Sequence, residues 1–440
     1  MKIQSHIDKI SWSLGDKVLI ILYGFIFILQ LRALDPVEFG LYQLLIGFYT
    51  WIFVVSDGIA LQSIIQFGMN LQNRPKTNLM SLIMQVSITL SASMLVFAFR
   101  YPLSDLFNEP RFVTIGEWLP LFVILTIPRT YTIKLVIRDR EYKNLFFIDF
   151  AFYGIMTIAT VVMVYSYKQL YFSDMVFIYL SGIICSSITG IIVSARKLQF
   201  SYKGSIGLRE IMKFSLPYGS YAILHSIPKN LDMIIVQTFF STAATGIYQS
   251  AKNLYRIFDE ILNASYSLVY PSAVNLFEKG DKKGLNDLMT KSASFIFYLF
   301  TFAVIVLEAG FGEWFITTFL PVKYHFAVGQ FNLMILAALA MSFTLTSVVI
   351  TAHGKPKLVL LIVSVSAFVS VASNFIVGYL RESSLMPLGI ILYNVVFGFL
   401  SFMYVNKKLD FKFHQIFRAF GDSLNFLKGK LNKRKNESGN

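Results

Sequence analysis

Between Gln249 and Asn263, polar residues recur at steps of three and four: Gln249, Lys252, Asn253, Arg256, Asp259, Glu260 and Asn263. On a helix this spacing makes one polar stripe. Leu254, Tyr255, Ile257, Phe258, Ile261 and Leu262 fill the rest of the circumference. Lys252 and Arg256 are like charges four residues apart, which disfavours a helix unless an anion lies nearby. The chemistry offered is anion binding on a cavity wall. A second reading also fits: Arg256 pairs with Glu260, and the stripe is a self-neutralised network or lies near a water-facing mouth.

Other candidates follow the same logic. Pro217, His225, Pro228, Lys229 and Asp232 lie within one apolar run. Pro228 frees a carbonyl and kinks a helix at mid-depth. Lys229 either meets an anion or neutralises Asp232, three residues on. His225, one turn before Lys229, either titrates or packs as a hydrogen-bonded side chain. Nearer the N-terminus, Arg129 follows Pro128 and is a second candidate anion contact. Asp57 follows a Trp-containing apolar run and is a candidate to bind a coupling cation or to pair with Arg129. Asp149 reads as interfacial. Asp57, Asp232, Asp259, Glu260 and His225 are thus the candidates for coupling or gating.

The chain lacks other chemistries. No GxxxxGK[ST] loop is present for nucleotide hydrolysis, and no HExxH or GxSxG. The five histidines are scattered, which points away from a metal site, and no cofactor is expected beyond a coupling ion, H+ or Na+. Cys185 stands alone, so an internal disulfide is excluded. The basic residues follow no nucleic-acid motif, so nucleic acid is not an expected partner.

The elements that position these residues must be membrane spans. Of 440 residues, 55% are apolar and only 15% charged, against about 25% charged in soluble domains. A span needs about 20 apolar residues. About twelve such runs occur, near 18–34, 39–67, 79–99, 112–135, 145–167, 174–195, 214–239, 243–270, 289–311, 326–351, 357–379 and 385–405. They are continuous rather than alternating, which excludes an outer-membrane barrel. The leader Met1 to Lys17 has mixed charge and no cleavage signal, so the first run reads as a retained span.

Charge sets the orientation. The net charge is +14. With the N-terminus inside, about 29 basic residues fall on cytoplasmic ends and loops and about six on the opposite side. The tail from Leu409 has Ile416, Phe417, Phe420, Leu424, Leu427 and Leu431 at helical spacing with Lys and Arg between, which suits an amphipathic helix lying on the anionic membrane lipids of the inner leaflet. Both termini are expected in the cytoplasm, with an even number of spans. Only Arg129, Lys229, Lys252 and Arg256 remain inside spans, where a central charge costs about 2.5–3.5 kcal/mol.

A repeat divides the spans. Gly40-Leu41-Tyr42-Gln43 opens the second run and Gly246-Ile247-Tyr248-Gln249 the eighth, 206 residues later. Two parallel six-span halves form a transporter architecture with substrate between them. The expected organisation is an N-terminal bundle over 1–200, a C-terminal bundle over 201–408 and a cytoplasmic amphipathic tail over 409–440.

Several stretches carry a resemblance in the same order. They are Arg32-Ala33-Leu34-Asp35-Pro36-Val37-Glu38-Phe39-Gly40-Leu41-Tyr42, Lys213-Phe214-Ser215-Leu216-Pro217, Asn230-Leu231-Asp232-Met233-Ile234-Ile235-Val236, Gly246-Ile247-Tyr248-Gln249-Ser250-Ala251-Lys252 and Thr351-Ala352-His353-Gly354-Lys355. The chain resembles the polysaccharide or O-antigen flippases of the multidrug/oligosaccharidyl-lipid/polysaccharide exporter superfamily. One departure is Ser56-Asp57-Gly58, where that family often has a small or apolar residue before Gly. The resemblance implies an all-α integral membrane fold of twelve helices, with a central cavity between two bundles opening alternately to each side. It also implies an undecaprenyl-diphosphate-linked sugar unit moved from inner to outer leaflet of a bacterial cytoplasmic (inner) membrane, for O-antigen, lipopolysaccharide or capsule. A polysaccharide polymerase and a chain-length regulator would be its partners. A pyrophosphate suits a lumen lined by Lys229, Lys252, Arg256 and Arg129.

Three rival classes stand beside this reading, and the intramembrane charges disfavour one of them, a purely structural membrane scaffold. A drug or cation exporter of the same superfamily should favour acidic over basic cavity residues. An enzyme such as a sugar-polymer polymerase should show a large outer loop or a His/Asp/Glu constellation.

Overall fold

In the computed structural model the described residues are 3–409, with Gln415 and Gly421. The expected tail over 409–440 otherwise lies outside the described residues. Twelve long helical segments follow one another: α1 (Ile3–Ala33), α2 (Pro36–Phe67), α3 (Arg74–Ala98), α4 (Phe112–Arg138), α5 (Tyr142–Tyr167), α6 (Phe172–Lys197), α7 (Leu208–Phe239), α8 (Thr242–Glu278), α9 (Lys282–Phe319), α10 (Ala327–Ala352), α11 (Pro356–Tyr379) and α12 (Ser383–Leu409). A short helix, Arg100–Leu106, lies between α3 and α4. Among the described residues there is no strand, only a single bridge between Leu34 and Leu170.

Each expected run therefore has its helix, and the ends are set by local chemistry. Pro36 and Pro356 begin α2 and α11, where a missing N–H costs nothing. Gly280 (φ 68°) and Gly354 (φ 69°) take the left-handed conformation that ends α8 and α10.

Nine of these helices are long and apolar enough to cross a membrane, and α1 adds the shorter apolar stretch Val18–Ala33. The two that fall short by composition are α7 and α8, with 32 and 37 residues. Length is not their limit. Polarity is, and they carry seven of the nine candidate residues: His225, Lys229, Asp232, Lys252, Arg256, Asp259 and Glu260.

Two compact units divide the contacts. The first comprises Met1–Gln249 with Phe319–Tyr324; the second comprises Ser250–Thr318 and His325–Asn440. In the first, the linker after α6 is docked rather than loose. Asn78 donates to the carbonyls of Lys197 and Gln199, and Lys76 to that of Gly204. The Ser205 amide and hydroxyl both donate to Asn73, each at 3.0 Å.

The same unit holds the two repeated tetrapeptides against each other. A Cβ on Gly40 would lie 2.0 Å from the Thr242 carbonyl oxygen, and one on Gly246 would lie 2.0 Å from that of Pro36. Pro36 and Thr242 are the first residues of α2 and α8. Only glycine permits so close a crossing of backbones.

A hydrogen-bonded chain surrounds that crossing. Glu38 accepts from the Phe172 amide (2.8 Å) and from Arg111 (2.6 Å). Arg111 also meets Glu109, which accepts from the Thr242 hydroxyl at 2.5 Å. Gln237 donates to Thr242 and to the Phe107 carbonyl, and accepts from Thr245. The segment Phe319–Tyr324 is fastened here too. Lys323 pairs with Asp35 at 2.6 Å, Arg32 donates to the Phe319 carbonyl, and fully buried Tyr324 packs on Phe39.

The second unit is built on α8 through α12. Phe258 meets Phe300 edge-on, Tyr255 donates to the Met341 sulfur, and Tyr266 donates to the Thr344 carbonyl. Serines and glycines let its helices approach: Gly398 lies against the Ala340 carbonyl and Ser366 and Ser401 are fully buried.

Candidate functional site

The polar stripe of α8 is a stripe in space. Tyr248, Ala251, Tyr255, Phe258 and Leu262 are buried, a three–four alternation that defines the packed face. Lys252, Asp259 and Glu260 are half-buried, and Arg256 and Asn263 are exposed. Arg256 Nε lies 3.6 Å from Glu260 Oε1, the pairing the spacing anticipates. Both side chains stay open, at 58% and 42% of their full exposure. An accessible ion pair on a helix of this length needs water or a polar partner beside it, because lipid would not solvate it.

On α7, Asp232 is buried and its carboxylate accepts from the Tyr248 hydroxyl at 2.6 Å. Tyr248, itself fully buried, belongs to the repeated tetrapeptide. Asp232 therefore ties the repeat of α8 to α7, a role that spacing from Lys229 did not reveal. His225 stacks on Tyr221, with ring centroids 6.0 Å apart and planes within 8°. Lys229 is half-buried.

Arg129 and Asp57 do not meet, contrary to the pairing the sequence allowed. Arg129 is ion-paired with Asp149 of α5. Its Nε donates to the Ser186 hydroxyl of α6 at 2.9 Å, and its guanidinium lies 4.5 Å from the Phe152 ring centroid. Asp149, expected at the interface, is buried. The reason is rotation along α4. Arg129 faces α5 and α6, whereas Lys134, five residues on, faces α2 and takes Asp57 as its partner at 2.7 Å. Five residues turn a helix well past one full revolution, so the two cations leave on different faces.

Asp57 opens a π-helical turn, Asp57–Leu61, inside α2. Such turns occur often at functional sites. A second one, Leu307–Phe311, interrupts α9, where Gly310 has φ 109°. Sequence reasoning missed both turns, and Lys134 was not among the candidate residues.

A further buried charge went unnoticed at the C-terminal end of α4. The Arg138 side chain is fully buried; its Nε and Nη2 reach Asp139 at 3.0 and 3.1 Å, and Nη1 reaches Asn78 Oδ1 at 3.0 Å. In the α4–α5 connection, burial would raise the Asp139 pKa. The hydrogen bonds and charge of Arg138, with Arg74 and Lys197 beyond, outweigh that and hold it below the ordinary carboxylate range. The adjacent Arg138–Asp139 pair was the available signal.

Asp57, Arg129, His225, Lys229 and Asp232 belong to the first unit; Lys252, Arg256, Asp259 and Glu260 belong to the second. Among the described residues, no three His, Cys, Asp or Glu side chains come together to hold a metal ion.

The family described as polysaccharide biosynthesis protein matches residues 30–329. No curated protein sequence matches significantly. Among solved structures, the fold is similar to that of the lipid II flippase MurJ in an inward closed conformation, with TM-score 0.74, 14% identity, and coverage of 95% of this chain and 91% of that one. It is equally similar to an inward-facing multidrug resistance MATE family transporter of the MOP superfamily: TM-score 0.74, 12% identity, 89% and 94% coverage. A MOP superfamily transporter from Pyrococcus furiosus gives TM-score 0.64 at 12% identity, with 91% and 94% coverage.

Proposed function

Because the chain belongs to the polysaccharide biosynthesis protein family, we propose that it is a flippase for lipid-linked oligosaccharides. It moves an undecaprenyl-diphosphate-linked repeat unit from the inner to the outer leaflet of a bacterial inner membrane, for a surface polysaccharide such as O-antigen. The observation that carries this reading is α8, which presents Lys252 and Arg256 on an accessible stripe of an otherwise membrane-compatible helix.

The physical case is one of solvation. A diphosphate-sugar headgroup pulled unaided into hydrocarbon loses its hydration at large cost. Fixed cations and polar groups along a helix replace that hydration, while the polyprenyl tail stays in lipid. Lys252 and Arg256 contact the diphosphate directly. Lys229 contributes a further positive charge, whereas Arg129, neutralised by Asp149, supports the fold of the first unit rather than the headgroup. The cycle runs by alternating access without nucleotide hydrolysis, drawing on an ion gradient (H+ or Na+), the membrane potential or the substrate gradient. A polysaccharide polymerase and a chain-length regulator take over the flipped unit.

Deletion of the gene tests this. Surface polymer should be lost and the lipid-linked intermediate should accumulate in the inner leaflet. Normal polymer with no accumulated intermediate refutes the reading. Unimpaired polymer together with new sensitivity to cationic drugs would point to the multidrug branch of the superfamily.

A further inference from the structure

Helices α2 and α7 are zipped together along their length, in antiparallel register. Gly47 of α2 lies against Met233, whose Cε would be 2.1 Å from an added Cβ. The Trp51 indole donates to the Ser226 hydroxyl at 3.2 Å. Gly58 touches Gly219: a Cβ on Gly58 would lie 2.7 Å from the Gly219 Cα and 3.3 Å from the Ala222 Cβ. Further along, the Phe67 and Phe214 rings meet edge-on at 5.5 Å.

The contacts along this seam are not equivalent. At Gly58 and Gly219 both helices carry a backbone defect. The π-turn Asp57–Leu61 interrupts α2, and Pro217 removes a hydrogen bond from α7 two residues before Gly219. Kinks and bends in helices arise at such defects. Here the two defects meet where the Gly58 and Gly219 backbones touch, with the Ile59 side chain seated on Gly219: a Cβ there would lie 2.4 Å from Ile59 Cγ1. The outer end of α2 is different. There, Gly40 and Gly246 interlock with carbonyls, and the chain Glu38–Arg111–Glu109–Thr242 must be broken for α2 and the start of α8 to part. All of these residues lie in the first unit.

We propose that the Gly58–Gly219 contact is a pivot: α2 and α7 bend about it and stay joined there, while the Gly40–Gly246 crossing at the outer end separates and re-forms. The missing Cβ atoms of Gly58 and Gly219 let the two backbones roll on each other, and the glycine at 219 leaves room for the Ile59 side chain that rests on it. The π-turn and Pro217 supply the flexible points, since hinges are a few positions that absorb the change in backbone angles. Lys134, paired with Asp57, anchors the α2 side of the pivot to α4.

The inference rests on the transport reading, and the test separates the two. In a Cys185→Ser background, one double variant is Glu109→Cys/Thr242→Cys at the outer crossing and another is Ile59→Cys/Ala222→Cys at the pivot. Each is joined by a short, thiol-cleavable bifunctional reagent, and surface polymer is measured before joining, after joining and after cleavage. Export by the unjoined variants bears on the flippase reading alone. The pivot predicts that joining the outer pair abolishes export and cleavage restores it, whereas joining the inner pair leaves export intact. Spin labels on the same positions add a readout that needs no substrate: two distance populations at the outer pair and one at the pivot. Loss of export on joining the pivot pair, full export with the outer pair joined, or two populations at the pivot overturns the proposal.

Discussion

Gly40 and Gly246 lie back to back, each against the carbonyl that starts the other's helix, and the same 206-residue offset relates both glycines and both carbonyls. The contact is a local two-fold relationship between the repeats. Alanine normally improves a helix over glycine by about 0.5–1 kcal/mol. Here the sign should reverse. Gly40→Ala and Gly246→Ala must push a backbone carbonyl aside, an overpacking cost of about 1–3 kcal/mol. Gly154→Ala, with nothing within 4 Å of its Cβ, should stabilise. Thermal unfolding of the three variants in detergent checks the reversal.

The Arg256–Glu260 pair separates stability from function. Exposed i,i+4 pairs contribute only about 0.3–0.5 kcal/mol. Arg256→Ala and Lys252→Ala should therefore leave membrane abundance and thermal stability nearly unchanged while export falls. Wild-type export in both variants would remove them from substrate contact.

Arg129 should behave in the opposite way. Its partner Asp149 is buried, and removing one member of a buried pair costs about 3–5 kcal/mol. Asp149→Asn should lower thermal stability sharply, and Asp149→Asn/Arg129→Met should recover part of it. A double variant no more stable than the single one would show that Arg129 is not held chiefly by Asp149.

Acid should reveal the Asp139 contribution. Its folded pKa is lowered, so its stabilisation is present above the unfolded carboxylate pKa and is lost as pH falls through the lowered folded value. Wild type should keep a constant stability advantage over Asp139→Asn from neutral pH down to the ordinary carboxylate range. The gap should close only below that. Melting temperatures across a pH series measure it, and a gap independent of pH would contradict the assignment.

Asp57 and Lys134 form a part-exposed pair, with side chains at 38% and 15% exposure. Asp57→Asn, Lys134→Gln and their double variant should show a coupling below about 1 kcal/mol in stability. If the pair serves to anchor the π-turn, the double variant should export no worse than the poorer single variant.

These predictions depend on which facts a sequence can express. Span limits are local: the fourth run, read as 112–135, is Phe112–Arg138, and the second, read as 39–67, is Pro36–Phe67. Apolar run length and terminating prolines decide them without reference to distant residues. The stripe on α8 and the Arg256–Glu260 pair are local in the same sense. Partner choice across helices is not. Asp57 lies 77 residues from Lys134, and which cation it finds depends on the rotation of α4 and on a π-turn in α2 that composition does not encode. Asp232 illustrates the middle case. Its neighbour Lys229 was visible three residues away, but its hydroxyl donor Tyr248 sits on the next helix, in a motif that looked like a repeat marker rather than a binding group.

Phe319–Tyr324 completes the first unit, though Ser250–Thr318 intervenes in the chain. This ordering matters for biogenesis. The carbonyl of Leu34 and the ring of Phe39 emerge early from the ribosome, yet Tyr324, which covers them, is made some 290 residues later. Until then the N-terminal end of α2 stays uncapped, and Asp35 waits for Lys323. Maturation of the earliest helices is thus tied to synthesis of the ninth, so a chain stopped before residue 319 would leave its first unit unfinished rather than merely half a protein.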